Sequence, residues 1–144
     1  IRDHEIDGTR RVTFSVDFSA SPIQFLVDGK LFDPNRVDQL IQLGAVEEWT
    51  VLNTSPSDHP FHIHQNPFVV TEIKGDPLGQ PVAKLPLWLD TVNVPRNTGF
   101  PDMSHPGSIT FRSRFEDFDG KFVLHCHLIH HSDMGMMQIV EVVR

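Results

Sequence analysis

The chain has 144 residues, 39% of them apolar, with nineteen acidic against twelve basic side chains and a formal net charge of −7. That length allows one domain with a substantial core and is short for two. The scattered Lys and Arg exclude a phosphate-binding surface for nucleic acid, and no apolar run approaches the roughly 20 residues needed to span a bilayer.

Residues 1–9 read as a linker or extension. The opening Ile1-Arg2-Asp3-His4-Glu5 does not have the form of a signal peptide. The absence of an initiating Met points to a processed chain or a piece of a longer one. Over residues 12–18, Val12, Phe14, Val16 and Phe18 alternate with polar residues, the period of a half-buried strand. Phe25-Leu26-Val27 and Lys30-Leu31-Phe32 flank Asp28-Gly29, a pair suited to a tight hairpin turn because both central residues must accept positive φ. Asp33-Pro34-Asn35-Arg36 breaks the ladder, residues 39–43 read as a short strand or turn, and residues 46–53 as a strand with Trp49 and Val51 inward.

Asn53-Thr54-Ser55-Pro56-Ser57-Asp58 is dense in turn formers and delivers the chain to a histidine-rich strand, His59-Pro60-Phe61-His62-Ile63-His64. Further strands are expected over 68–73, 87–94, 108–115, 121–126 and 137–143. Loops are expected over 75–86 and 95–107, the second long enough to be functional or to cover an edge, and Glu116-Asp117-Phe118-Asp119-Gly120 reads as a solvated turn. No segment sustains helical periodicity. Seven or eight short strands with turns between them predict an all-β Greek-key sandwich or barrel, as a single domain over 1–144.

The chemistry concentrates around the single cysteine, in His125-Cys126-His127-Leu128-Ile129-His130-His131-Ser132-Asp133-Met134-Gly135-Met136. With only one Cys in the chain no internal disulfide can form, and the thiol is explained by chemistry or by packing. Thiolate and thioether donors favour copper, and two histidines, one cysteine and a weak axial methionine describe a blue-copper electron-transfer site. Strand parity separates the candidates. Side chains two apart share a face, about 6.7 Å from each other, while neighbours oppose. His62, His64, His125 and His127 therefore project together, with Cys126 on the opposite face and His59 on Cys126's side, if the strand runs back through Pro60. One set is His59, Cys126, His131 and Met136, a complete four-donor site. The other is four imidazoles, a set that suits copper, zinc or iron. A cupin-like site would want a glutamate soon after the paired histidines, and Gln65-Asn66-Pro67-Phe68 offers none. His4, His105 and His130 read as bland, Met134 and Met137 as packing, and Trp49 and Trp88 as core aromatics.

The paired motifs resemble the two C-terminal copper motifs of multicopper oxidases, the family of laccases, bilirubin oxidase and ascorbate oxidase. Asp28-Gly29-Lys30, Val46-Glu47-Glu48-Trp49 and Phe115-Glu116-Asp117-Phe118 extend the likeness to the last cupredoxin domain of a bacterial laccase. The resemblance implies a cupredoxin fold and copper as cofactor, with His59, Cys126, His131 and Met136 binding type 1 copper. It implies His62 as a type 2 ligand and His64, His125 and His127 as type 3 ligands. Cys126, His125 and His127 would form the bridge that passes electrons from a small reducing substrate to a trinuclear cluster, where dioxygen is reduced to water.

Two departures qualify the likeness. The family's cluster uses eight histidines and this chain offers four, so N-terminal multicopper oxidase domains, on the same parent chain or another, are the expected partners. Ser132 stands where many members carry a glutamate linked to proton delivery, leaving Asp133, Glu116 or Asp117 as substitutes. The family resemblance further implies a periplasmic or secreted location. The other functional expectation is a stand-alone cupredoxin electron carrier that reduces no oxygen.

Overall fold

A computed structural model of the chain describes residues 1–75, 84–99, 102, 104–133 and 135–144. Among these the chain forms eleven strands: β1 (Gly8–Asp17), β2 (Gln24–Val27), β3 (Val37–Gln42), β4 (Val46–Asn53), β5 (His59–Ile63), β6 (Phe68–Lys74), β7 (Leu87–Leu89), β8 (Thr91–Val94), β9 (Gly107–Arg114), β10 (Gly120–Cys126) and β11 (Met137–Val143). They build two facing sheets, one in the order β2-β1-β4-β9-β6-β7 and the other β3-β11-β10-β5-β8. The all-β sandwich expected from the alternation is present. No helix among the described residues is long and apolar enough to cross a membrane.

Alternation explains the inner surfaces. In β4 the odd-numbered residues Glu47, Trp49, Val51 and Asn53 are buried; in β5 His59, Phe61 and Ile63 are, and in β10 Phe122, Leu124 and Cys126. Phe111 of β9 holds the centre, with ring centroids 4.6 Å from Phe68, 5.3 Å from Phe61 and 5.8 Å from Trp49. Such pairs add to the burial of large apolar area. The inward parity of Glu47 carries a carboxylate into the core with 6% exposure. It is matched there by Arg10 Nε at 2.6 Å and by the Trp49 indole N–H, which donates at 2.9 Å, as a buried charge requires.

Several elements differ from the sequence reading. Asp28 (φ 53°) and Gly29 (φ 75°) do make the tight turn, closed by paired hydrogen bonds between Val27 and Lys30, but Lys30 makes only an isolated bridge to Val27. β2 pairs with β1 instead, Phe14 opposite Val27 and Asp17 opposite Gln24, while the Phe32 N–H donates to Gly135 O. The single strand expected over 87–94 divides at Asp90, where the chain leaves the first sheet as β7 and enters the second as β8. Trp88, expected in the core, is 55% exposed, because β7 is a three-residue edge strand whose even position faces outward.

Two short helical pieces also form: a 3-10 turn at Asp3–Glu5, and α1 (Ile129–Asp133). Of residues 1–9, expected as a linker or extension, Gly8 and Thr9 begin β1 and the first seven lie against the sheet. Arg112 pairs with Asp3, Arg114 with Glu5, and the Asp7 N–H donates to Val46 O at 2.7 Å. The loop expectation over 75–86 and the packing role expected for Met134 fall largely or wholly on residues outside the described ones.

The central position of Phe111 predicts a large cavity on truncation. Phe111→Ala should lower unfolding free energy by roughly 3–5 kcal/mol, read as a shifted urea midpoint at an unchanged slope; a change below about 1 kcal/mol would show that the cluster is not the core's centre.

Candidate metal centre

The register between β5 and β10 sets the two faces. Leu124 lies opposite Ile63, His125 opposite His62 and Cys126 opposite Phe61. His125 and His62 therefore stand side by side on the outer face, and Cys126 turns inward. His59, the first residue of β5, is fully buried on the inner side. Its extended conformation persists through Pro60, with His59 opposite Val94 and Pro60 opposite Asn93, and Pro60 O accepts from the His127 N–H at 2.7 Å.

The inner site closes at the end of the sandwich. Cys126 ends β10, and the chain turns through α1, which presents His131. The Cys126 N–H donates to Met136 O at 3.1 Å, and the Met136 N–H donates to His131 O at 3.1 Å. The loop is thus stitched back onto its own candidate donors, with Met136 fully buried. Gly135 at φ 109° lets the chain reverse, and a Cβ there would come within 2.7 Å of Leu31 Cδ2. Left-handed backbone and a close neighbour together call for glycine.

Three donor atoms converge: His59 Nδ1 lies 3.1 Å from His131 Nδ1, and Cys126 Sγ lies 3.6 Å from each. A point equidistant from all three is about 2.0 Å away from each, close to a metal–imidazole bond and somewhat short for a metal–thiolate bond. One donor is a soft thiolate, two are imidazoles and no carboxylate is among them, and a trigonal His2Cys set, with the buried Met136 tied by its backbone to Cys126, fits copper.

Burial shapes the protonation of this site. Desolvation, reinforced by repulsion from His131, lowers the His59 imidazole to about 4, and His131 is lowered by burial and by His130. Burial pushes the Cys126 thiol up to about 11. The imidazoles are neutral donors at pH 7, and the thiol must give up its proton to a metal. Phe25 stacks on the His131 ring at 4.2 Å and 20°, covering one face of that ring.

On the outer face, donor atoms of His62, His64 and His125 lie within 4.8 Å of one another. His64 Nε2 is 3.1 Å from His125 Nε2. His62 donates from Nδ1 to Asp90 O at 2.6 Å, and His125 donates from Nδ1 to Cys126 O at 2.8 Å. Each bond leaves Nε2 with its lone pair outward, the tautomer a metal ligand needs. His64 and His125 are both lowered, chiefly by desolvation. His127, exposed, stands beside this trio with ring centroids 5.3 Å from His62 and 5.7 Å from His125. The sequence reading placed these rings on one face, and they lie together there.

Comparison with known proteins decides the family. Residues 5–144 match the description "Multicopper oxidase". The chain belongs to the multicopper oxidase family. It is 27% identical over 142 residues to a multicopper oxidase of Staphylococcus aureus, covering 96% of this chain and 29% of that protein. It is 30% identical over 130 residues to a laccase of Haloferax volcanii, covering 90% of this chain and 21% of that one. Among solved structures, a multicopper oxidase from Campylobacter jejuni described as a metallo-oxidase superposes with a TM-score of 0.80 at 30% identity, covering 98% of this chain and 31% of that chain. The chain therefore spans less than a third of these relatives. The relatives are oxidoreductases by name, the fold is the cupredoxin sandwich of multicopper oxidases, and copper is the metal that the family and the His2Cys group both fit.

Some functional neighbours were not singled out from sequence. Ser55 and Asn53 behind His59, Phe25 over His131 and the Asp90 carbonyl behind His62 all stand one layer out from the donors. In the sequence Ser55 reads as a turn former and Asn53 as a strand end and turn former, and a backbone carbonyl leaves no mark in a sequence.

The protonation states predict a plateau in the stability of the metal-free protein. Between pH 6.5 and about 4 the unfolded chain takes up a proton that folded His59 refuses, so stability falls with falling pH, by on the order of 3 kcal/mol in full. Between pH 9.0 and about 11 the folded Cys126 keeps a proton that the unfolded chain loses, so stability falls with rising pH. The melting midpoint of the metal-free protein, measured against pH, should be highest between these windows; a midpoint rising through pH 6 toward acid would contradict the buried neutral state of His59.

Proposed function

We propose that this chain, residues 1–144, is the C-terminal type 1 copper domain of a bacterial laccase-like multicopper oxidase working outside the cytoplasm, in the periplasm or as a secreted protein. Its role in the parent is to accept electrons from phenolic or similar reductants and pass them toward a trinuclear copper cluster at which dioxygen is reduced to water. The observation that carries this reading is the position of Cys126 between the two faces. Its side chain ends among the inner donors, while its peptide neighbours His125 and His127 stand on the outer face.

His59, Cys126, His131 and Met136 would hold type 1 copper, and His62, His64, His125 and His127 would supply half of the cluster's ligands, His62 as type 2 and the others as type 3. Copper bound at the inner site would supply one-electron redox chemistry. The protein's part is to hold the donors in place before metal arrives, to keep water from them and to connect the two faces. Covalent bonds run from Cys126 to both flanking histidines. The hydrogen bond from His125 Nδ1 to Cys126 O, 2.8 Å long, adds a second short link from the thiol-bearing residue to an outer imidazole. The buried His59 keeps solvent out, and the Phe25 stack covers one face of His131.

The outer imidazoles are four in number, against the eight of a full cluster, and the relatives are several times longer than this chain. Further domains bearing the other histidines complete the reading. Asp133 is exposed beside Ser132, and Asp90, whose carbonyl accepts from His62, is exposed at the outer face.

Copper loading tests this directly. The oxidised, copper-loaded protein should be intensely blue, Cys126→Ser should remove the colour, and oxygen uptake should require the domains that carry the other His-x-His pairs. A colourless oxidised wild type would end the type 1 assignment. A blue protein that consumes no oxygen even with its full parent chain would favour a stand-alone electron carrier.

A further inference from the structure

The imidazole of His59 has two ring nitrogens, and only one of them faces the inner donors. Nδ1 lies 3.1 Å from His131 Nδ1 and 3.6 Å from Cys126 Sγ, while Nε2 points the other way, 2.7 Å from the Ser55 hydroxyl. For His59 to act as a ligand, Nδ1 must be bare and the proton must sit on Nε2. The ring alone favours that tautomer only mildly, so whether it is held as a single form rests on what Ser55 does with its single hydrogen.

The surroundings of Ser55 determine it. Its Oγ lies 2.8 Å from Asn53 Oδ1 and 3.0 Å from Ser57 O, both oxygens that carry no proton. The identity of Asn53 Oδ1 is fixed in turn: the amide nitrogen of Asn53 donates to Ser57 O at 2.8 Å and to Val94 O at 3.2 Å, and the Ser55 N–H donates to Oδ1 at 2.9 Å. Two oxygens 2.8 Å apart with no hydrogen between them repel, so the Ser55 hydroxyl hydrogen lies toward Asn53 or Ser57. The lone pairs of Ser55 are then left to accept: the Ser57 N–H donates to one over a long 3.4 Å, and His59 Nε2, at 2.7 Å, is the other group within reach. Asn53 is 0% and Ser55 1% exposed, so water is not available to replace either partner, and an unmatched donor there would be costly.

We propose that Ser55, held as an acceptor by Asn53, is a positioning residue that fixes His59 as the Nε2-protonated tautomer and so presents Nδ1 to the metal. The inference rests on the reading of His59 as an inner-site ligand. The acceptor is a neutral hydroxyl in place of a carboxylate, so His59 is oriented without adding charge to the site. Asn53 closes β4 on the first sheet and Val94 closes β8 on the second. The network therefore ties the ligand's orientation to both layers, and the Asn97 N–H, donating to Ser55 O at 2.8 Å, braces the same turn from the following loop.

The test uses nitrogen chemical shifts of the His59 ring in the copper-free protein, which report the tautomer without any metal, together with copper affinity. Wild type should show a single Nε2-protonated form. Ser55→Ala should give a mixture of tautomers and weaken copper binding roughly 10–100-fold, the usual cost of losing a partner behind a ligand. Ser55→Thr, which keeps the hydroxyl, should restore both. A wild-type ring protonated at Nδ1, or a Ser55→Ala protein that stays wholly Nε2-protonated and binds copper as tightly as wild type, would overturn the proposal. If Ser55→Ala does not fold, the wild-type spectrum alone decides. If the tautomer behaves as expected but copper-loaded wild type is not blue, the tautomer proposal stands and the type 1 assignment falls.

Discussion

The antiparallel register of β10 against β5 is the constraint from which both candidate donor faces follow. With His125 opposite His62 and Cys126 opposite Phe61, one residue of shift would send the thiol to solvent and the imidazoles into the core. The apolar partners prevent it: Leu124, Ile63 and Phe61 are buried at 0–1% exposure, and a slipped strand would expose them. Hydrophobic burial along two short strands thus decides which side chains can meet a metal. The aromatic cluster around Phe111 gives the register something to be buried against, and it reaches the metal centre itself, since Phe14 touches both Phe61 and the His59 ring, with centroids 6.1 and 5.9 Å away.

The inner donors are held by three different kinds of structure. His59 sits on a strand and is braced by a polar network; Cys126 ends a strand; His131 comes from a single turn of helix and leans on Phe25. A trigonal set assembled from elements that do not move together requires ties between them. The backbone bonds from Cys126 to Met136 and from Met136 to His131 are those ties. They close the loop onto its own donors through backbone bonds, which is one condition for preorganised ligation.

What was legible in the sequence and what was not divides along physical lines. Alternation is a local property, so the inward direction of Cys126, Trp49 and Phe61 and the common face of His62, His64, His125 and His127 could be read from neighbours alone. Strand pairing is not local. The Asp28-Gly29 turn was correct, yet the arm expected after it bridges only at Lys30, because the Phe32 N–H is claimed by Gly135, about a hundred residues away. Trp88 was misplaced because an edge strand and a core strand carry the same residue types, and only the sheet order separates them. His131 lies beyond any parity argument, since five helical residues leave too short a period to detect. Ser55 was visible as a turn residue, but its contact with His59 depends on how the turn folds back.

The corner at Asp90 has a wider meaning for the outer face. There the chain steps from one sheet to the other, and the carbonyl exposed by that step receives the Nδ1–H of His62 at 2.6 Å. His62 belongs to β5 of one layer and is gripped by the junction of both. The aim of His62 is therefore tied to how the two layers are seated on each other. A domain that docks against the outer imidazoles would meet a surface whose aim is set by the alignment of the whole fold.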